Sequence, residues 1–253
     1  MTGALVQIGA IGTFMVVGAL FSRQPSQRMI NRDTLINVAT GAVLFGLRVG
    51  LIAGIVQSID VGLIDATAGL EPWMQFALAF VLLDFFKYWL HRAHHRVGFL
   101  WAFHRVHHMS ERLDSTSGLR MHVVDFIQLA FLPVLLFSVV LNTSGWAPWS
   151  IIAALSVGGV FDAFQHANLR WNAQSAFGRL WGQVFNNPHF HAWHHTRDGA
   201  LCDGNYGNTL VIWDRMFGSV VTQEELPDAF GLEPDQALQN SLFAMQLLKR
   251  RAG

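Results

Sequence analysis

The sequence predicts an all-α integral membrane protein, a bundle of about four to five membrane helices bearing a histidine-rich helical cap on one face. Three observations predict it. Charged residues make up only 13% of the 253-residue chain, about half of what soluble proteins carry. Uncharged or nearly uncharged apolar runs of membrane-crossing length recur along it. All twelve histidines lie outside those runs and on one side of them. The formal net charge is zero, so no global basic field exists for nucleic acid. The single cysteine, Cys202, excludes an intrachain disulfide and an all-cysteine metal cluster. Any metal must use nitrogen or oxygen ligands.

The first run, Ala4 to Phe21, carries no charge. A cleaved signal peptide would want basic residues ahead of it, and Met1 to Ala4 has none. A retained helix is expected. The second run, Asn37 to Val56, holds Arg48 near its middle, a charge expected to face protein or water. The third, Trp73 to Leu90, carries Asp84 and Lys87 at i and i+3, a pair able to neutralise itself. Trp73, Tyr88 and Trp89 are placed like interfacial aromatics. The fourth, Val123 to Leu141, has Asp125 and Gln128 near its start and Pro133 inside. The fifth runs from Trp146 to about Phe164, and the fourth and fifth fit a shallow hairpin as well as two full spans. Gly158-Gly159 in the fifth run predicts close helix packing.

Every Lys and Arg except Arg48 and Lys87 falls on one side if the segments 23–33, 91–122 and the chain beyond His166 share that side. The positive-inside rule makes it cytoplasmic. The histidines gather there. His91-Arg92-Ala93-His94-His95 is followed by His104-Arg105-Val106-His107-His108, and later by His191-Ala192-Trp193-His194-His195. Spacings of i, i+3 and i+4 put imidazoles on one helix face, where they can converge on a metal. So many imidazoles suit two metals. Asp84, Asp125 and Asp162 are candidate acceptors for the outer N–H groups of ligand histidines, or simply helix-end charges. Phe103, Phe190 and Trp193 are candidates for shielding the metals from water.

The spacing HxxxH (His91, His95), HxxHH (His104, His107, His108) and a late HxxHH (His191, His194, His195) on membrane hairpins resembles the fatty acid hydroxylase superfamily. Gln165-His166-Ala167-Asn168 resembles its histidine after the second hairpin. Asn205-Tyr206-Gly207 with Trp213-Asp214-Arg215-Met216-Phe217-Gly218 is similar to its segment after the last box. The resemblance covers about residues 75 to 220. It implies metal ligands at His91, His95, His104, His107, His108, His166, His191, His194 and His195, and a supporting role for Asn205. His122 departs from the family pattern, with Val123 where proline often follows, and reads equally as an interfacial histidine ending a loop. His94, i+3 from His91, reads as a ligand or as a bystander pointing away, and His189, just ahead of the third box, as a ligand or outer support. The resemblance further implies a non-haem centre of two irons that activates O2 and oxidises a C–H bond of a lipid, by hydroxylation or desaturation.

The competing reading is a membrane protein that binds or transports metal without redox chemistry. Transporters place their ligands within several spans near the midplane, whereas here they collect at one face. No haem module, no GxGxxG fingerprint in a strand-to-helix setting and no cysteine set for an iron–sulfur centre is present. A separate cytochrome, ferredoxin or reductase is therefore expected as electron donor. The expected organisation is N-terminal membrane helices over 1–72, a catalytic domain over 73–220 and a cytoplasmic tail over 221–253. The expected location is a bacterial inner membrane.

Overall fold

The computed structural model describes residues 2–55, 62–66, 69–221, 223–234 and 236–250. Side chains from 47 to 55 lie outside the described residues, and with them the expectation for Arg48. Five long helices form the bundle: α1 (Thr2–Leu20), α2 (Arg32–Ile55), α3 (Pro72–Arg96), α5 (Val123–Val140) and α6 (Pro148–His166). The short helices α4 (Gly98–His104), α7 (Ala176–Trp181), α8 (Pro188–His194), α9 (Ile212–Met216) and α10 (Leu242–Gln246) belong to the cap. Two-residue strands β1 (Ile64–Asp65) and β2 (Leu141–Asn142) pair in parallel and tie the far ends of the helices together.

Among the described residues, α1, α3 and α5 are long and apolar enough to cross a membrane. The second apolar run forms α2, whose last side chains lie outside the described residues. Helix α6 falls short because Asp162, Gln165 and His166 replace apolar residues in its last turns. It packs instead between α1 and α3. Its Gly159 lets α1 come near, since a Cβ there would lie 3.2 Å from the Cβ of Gln7. Helix α1 leaves Leu5, Ile8, Val16 and Leu20 more than half exposed. In a protein with spans this is a lipid-facing surface rather than an unfinished core.

Away from the cap, Ala79 and Leu83 of α3, Val134 and Phe137 of α5, and Trp146 and Ala154 form the buried apolar cluster between the hairpins. Polar bonds fasten its edge: Trp146 Nε1 donates to Ala66 O at 2.8 Å, and Ala147 N donates to Gln75 Oε1 at 2.8 Å. The cap is joined to the helices by buried charge. Arg120 is fully buried and donates to Asp33 Oδ1 at 2.7 Å and Asn37 Oδ1 at 2.6 Å, both on α2. Removing one partner of such a pair strands a buried charge, which costs about 3–5 kcal/mol.

Two local expectations change. Tyr88 is not an interfacial ring. It is fully buried, with its hydroxyl 2.8 Å from Ser219 Oγ and accepting from Arg92 at 2.9 Å, while Trp73 and Trp89 remain exposed. Asp84 and Lys87 form no ion pair among the described residues. Asp84 accepts from Thr209 N, Leu210 N and Trp213 Nε1 at 3.0–3.1 Å, and Lys87 donates to Asn208 Oδ1 at 2.7 Å. Each side chain of α3 is drawn to the 208–213 segment, where better hydrogen-bond partners await than the other offers.

Candidate metal centre

Helix α3 starts on Pro72, whose missing N–H costs nothing at the first helical position, and runs unbroken to Arg96. Its last turns carry His91 and His95 on one face. Helix α4 ends on His104, and the 3₁₀ turn His107–Met109 then presents His107 and His108. Helix α6 ends on His166. Helix α8 opens on Asn187, whose side chain accepts from His189 N and Phe190 N, with Pro188 next; this cap and proline fix a helix too short to persist alone. It aligns His191, His194 and His195.

The ligand nitrogens of His91, His95, His104, His108 and His194 all lie within 4.8 Å of one another. Those of His107, His166, His191 and His195 form a second such set. The nine histidines expected to be ligands are thus the nine brought together. Their Nε2 atoms face inward. In the second set, His191 lies 3.0 Å from His166 and 3.1 Å from His195, His195 lies 3.2 Å from His166, and His166 lies 3.3 Å from His107. In the first set, His91 and His104 are 3.1 Å apart.

Two nitrogens bound at about 2.1 Å and at right angles are about 3.0 Å apart, so this spacing fits ligands of a shared ion. It does not suit neutral imidazoles by themselves, because a triangle of nitrogens cannot supply a proton for every edge. The Nε2 atoms of His95, His108 and His194 are buried and have no protein partner. Buried polar atoms left unpaired cost about 1–3 kcal/mol each; a cation at the centre of the first set removes that cost.

Five of the outward nitrogens are tied to acceptors, the pattern that orients a metal-binding histidine. His91 Nδ1 donates to Tyr206 O at 2.7 Å, His194 Nδ1 to Gly204 O at 2.8 Å, and His166 Nδ1 to Asp162 O at 2.7 Å. His104 Nδ1 donates to Asp125, 3.1 and 3.2 Å from its two oxygens. His107 Nδ1 reaches Arg120 O at 3.3 Å. Burial first, then neighbouring imidazoles, hold His107, His108, His191 and His195 well below the usual 6.5, and burial takes His194 down to about 3. All are therefore neutral near pH 7, the form whose lone pair binds metal.

The other candidates separate cleanly. His94 is not in either set: its Nδ1 donates to Leu90 O at 2.6 Å, and its Nε2 lies 2.7 Å from Gln128 Oε1 and 3.4 Å from Asp125. His122 caps α5, accepting from Val124 N and donating to Gln246 O at 2.9 Å. His189 donates to Gln223 O at 2.8 Å. Among the expected supports, Asp125 accepts from a clustered histidine, His104. Asp162 does so through its backbone oxygen, its carboxylate standing 3.9 Å from His166. Asp84 touches no ligand histidine. Asn205 acts one step removed, donating to Phe190 O on α8 and to Val221 O, at a left-handed backbone (φ 56).

Of the aromatics expected around the metals, Phe103 packs on His122 instead, and Trp193 donates to Glu225 O. The rings that cover the first set are Trp101, against His95 and His108, and Tyr206, against His91, His95 and His194. The carbonyls of Tyr206 and Gly204 carry no side-chain signal. Their signal was Asn205-Tyr206-Gly207 as a unit, which holds its shape because Asp214 accepts from Tyr206 N and Gly207 N at 2.8 Å each.

His91, His104, His107, His166 and His191 line one end of a cavity of about 610 Å³ whose walls are largely apolar side chains of α1, α2, α3, α5 and α6. It joins both histidine sets to the helix bundle.

A family model for fatty acid hydroxylase matches residues 76–219, more than half of the chain and all nine histidines. The chain belongs to the fatty acid hydroxylase family. Among its curated relatives, alkylglycerol monooxygenase of Xenopus tropicalis is 35% identical over 159 residues, 61% of this chain and 32% of that protein. Ornithine lipid hydroxylase OlsE of Rhizobium tropici is 32% identical over 148 residues, 57% of this chain and 41% of that protein. A putative Delta(7)-sterol-C5(6)-desaturase 2 of Arabidopsis thaliana is 28% identical over 165 residues, 62% of this chain and 52% of that protein. The chain spans about a third of the length of the alkylglycerol monooxygenases it matches. No solved structure matches it.

Proposed function

We propose that this fatty acid hydroxylase family member is an O2-dependent membrane oxidoreductase that hydroxylates or desaturates a lipid, with two non-haem irons held by the nine clustered histidines. The observation that carries this reading is that both histidine sets open onto one apolar cavity between membrane helices. Two bound irons would supply O2 activation and the oxidising power for an unactivated C–H bond. His91, His95, His104, His108 and His194 would hold one ion, and His107, His166, His191 and His195 the other. Asp125 orients His104, and the carbonyls of Tyr206, Gly204 and Asp162 orient His91, His194 and His166. Trp101 and Tyr206 exclude water from the first set. The cavity receives the apolar body of the lipid from the bilayer. Three relatives named for lipids, an alkylglycerol, an ornithine lipid and a sterol, support a lipid substrate.

Electrons come in this reading from a separate cytochrome, ferredoxin or reductase, on the side where Lys and Arg concentrate. That side is the cytoplasmic face, in a bacterial inner membrane. The test is lipid profiling of cells with and without the gene, with His107→Ala and His194→Ala as controls, beside metal analysis of the purified protein. About two irons per chain and a product lost in both variants are expected. A tightly held, redox-silent zinc pair from iron-replete cells, with an unchanged lipid profile, would overturn the reading in favour of metal binding alone.

A further inference from the structure

The cavity is apolar over most of its wall but not beside the metal sites. Lys87 precedes His91 by four residues on α3, and Asp162 precedes His166 by four on α6; both line the cavity. Residues four apart share a helix face and stand about 6 Å apart along the axis. A cation and an anion therefore sit one turn from the two histidine sets, on the bundle side. Such groups are costly among membrane helices and are retained where they have a task.

Neither group is used up by the fold. Lys87 donates to Asn208 Oδ1 at 2.7 Å, and Asn208 Oδ1 also accepts from Gln165 at 3.3 Å. An ammonium has three N–H donors, and no other acceptor for Lys87 exists among the described residues. The nearby Asp84 is saturated by its three donors from the 209–213 segment. Asp162 Oδ2 accepts from Gln7 at 3.2 Å, and a carboxylate offers about four acceptor sites. Lys87 and Asp162 form no ion pair within 4 Å of each other among the described residues. Gly118 packs close against the Asp162 carboxylate, since a Cβ there would stand 2.3 Å from Oδ2.

We propose that Lys87 and Asp162 together read a hydroxyl group on the substrate, so that the lipid oxidised here is a neutral alcohol. The proposal rests on the oxidoreductase reading for what happens next to that alcohol, but not for its binding. A hydroxyl both accepts and donates, and so satisfies Lys87 on one side and Asp162 on the other. A hydrocarbon leaves both unpaired in an apolar cavity. A carboxylate satisfies Lys87 but faces Asp162 with like charge. Because the two residues lie one turn from the histidines, the oxidised carbon is a few bonds from the hydroxyl, and the rest of the lipid occupies the apolar part of the cavity.

The test is binding of hexadecan-1-ol, its methyl ether, hexadecane and palmitate to the full chain in phosphatidylcholine nanodiscs, read by displacement of a fluorescent lipid without turnover. Sites built to hydrogen-bond a hydroxyl reject analogues lacking it. The wild type is expected to favour the alcohol over hexadecane and over palmitate by about tenfold or more, with the methyl ether between, since it keeps only the Lys87 bond. Lys87→Met should bring alcohol and hexadecane level. Asp162→Asn, nearly isosteric, gains an N–H and should bring the ether up to the alcohol while leaving hexadecane weak. Unchanged melting temperature and iron content separate lost recognition from lost folding. Equal binding of alcohol and hexadecane by the wild type, or a preference that survives in well-folded Lys87→Met, overturns the proposal. A wild type that oxidises cellular lipids yet ignores the hydroxyl defeats this inference alone. One that prefers the alcohol but leaves every lipid unchanged defeats the oxidoreductase reading alone.

Discussion

The two histidine sets differ in how the chain assembles them. Four of the five members of the first set, His91, His95, His104 and His108, come from one continuous stretch, and only His194 arrives from afar. The second set draws His107 from that stretch, His166 from the end of α6, and His191 and His195 from α8. The supports differ too. The first set leans on a carboxylate, through His104 and Asp125, and on two carbonyls at 2.7 and 2.8 Å. The second leans on the carbonyls of Asp162 and Arg120, and the Nδ1 atoms of His191 and His195 have no protein partner. A set made by local sequence is preorganised by its helix ends. A set made by tertiary contacts depends on the docking of α6 and α8 against the cap.

The largest expected effect comes from breaking the tertiary set. His191→Ala should reduce bound metal to about one ion per chain and abolish the lipid product, measured by metal analysis and lipid profiling. A variant with both metals retained would erase the distinction drawn between the sets. Next is Asp125→Asn, which keeps the shape but weakens the acceptor for His104. Outer-shell changes of this kind cost about 10–100-fold in metal affinity or activity. Chelator titration should show the first set emptying earlier than in the wild type, with the second unmoved.

A smaller effect is expected from pH. His194 binds a proton near pH 3 in the fold but near 6.5 when unfolded. The unfolded chain therefore takes up protons first as pH falls. Stability of the metal-free protein should be full above about pH 6.5 and decline as pH drops from there toward 3. Thermal melting in detergent after chelation would check this; a melting temperature flat down to pH 4 would speak against it. The smallest effect belongs to His122→Ala, which removes the cap of α5. It should cost about 1 kcal/mol of stability and leave metal content unchanged, and metal loss would reopen His122 as a ligand.

Much of this protein was legible without coordinates, and the reasons are particular. Apolar runs announce helices because a membrane permits little else, and α3 and α5 begin within a residue or so of where their runs begin. The nine clustered histidines were legible because helical spacing puts i, i+3 and i+4 on one face. Spacing alone left His94 open. His94 has the same i+3 relation to His91 that metal ligands often use, yet Gln128 on the facing helix claims its Nε2. Asp84 and Lys87 looked like partners along α3, and distant backbone N–H groups and Asn208 outbid each for the other. The carbonyls that orient His91 and His194 were illegible in principle, because every residue has one.

The sequence by itself determined that this is a helical membrane protein, that it carries histidines at ligand spacing, and that it belongs beside the lipid oxidoreductases of its family. The first two reside in composition and in periodicity, and the third in the resemblance of the boxes and the segment after them, all of which are local. The tertiary structure alone decided how nine histidines divide into five and four, which carboxylate accepts from a clustered histidine, and that Lys87 and Asp162 line one cavity. Each of these depends on which helix docks against which. That is set by long-range packing and by the need of every buried polar atom for a partner, neither of which is written at any single position.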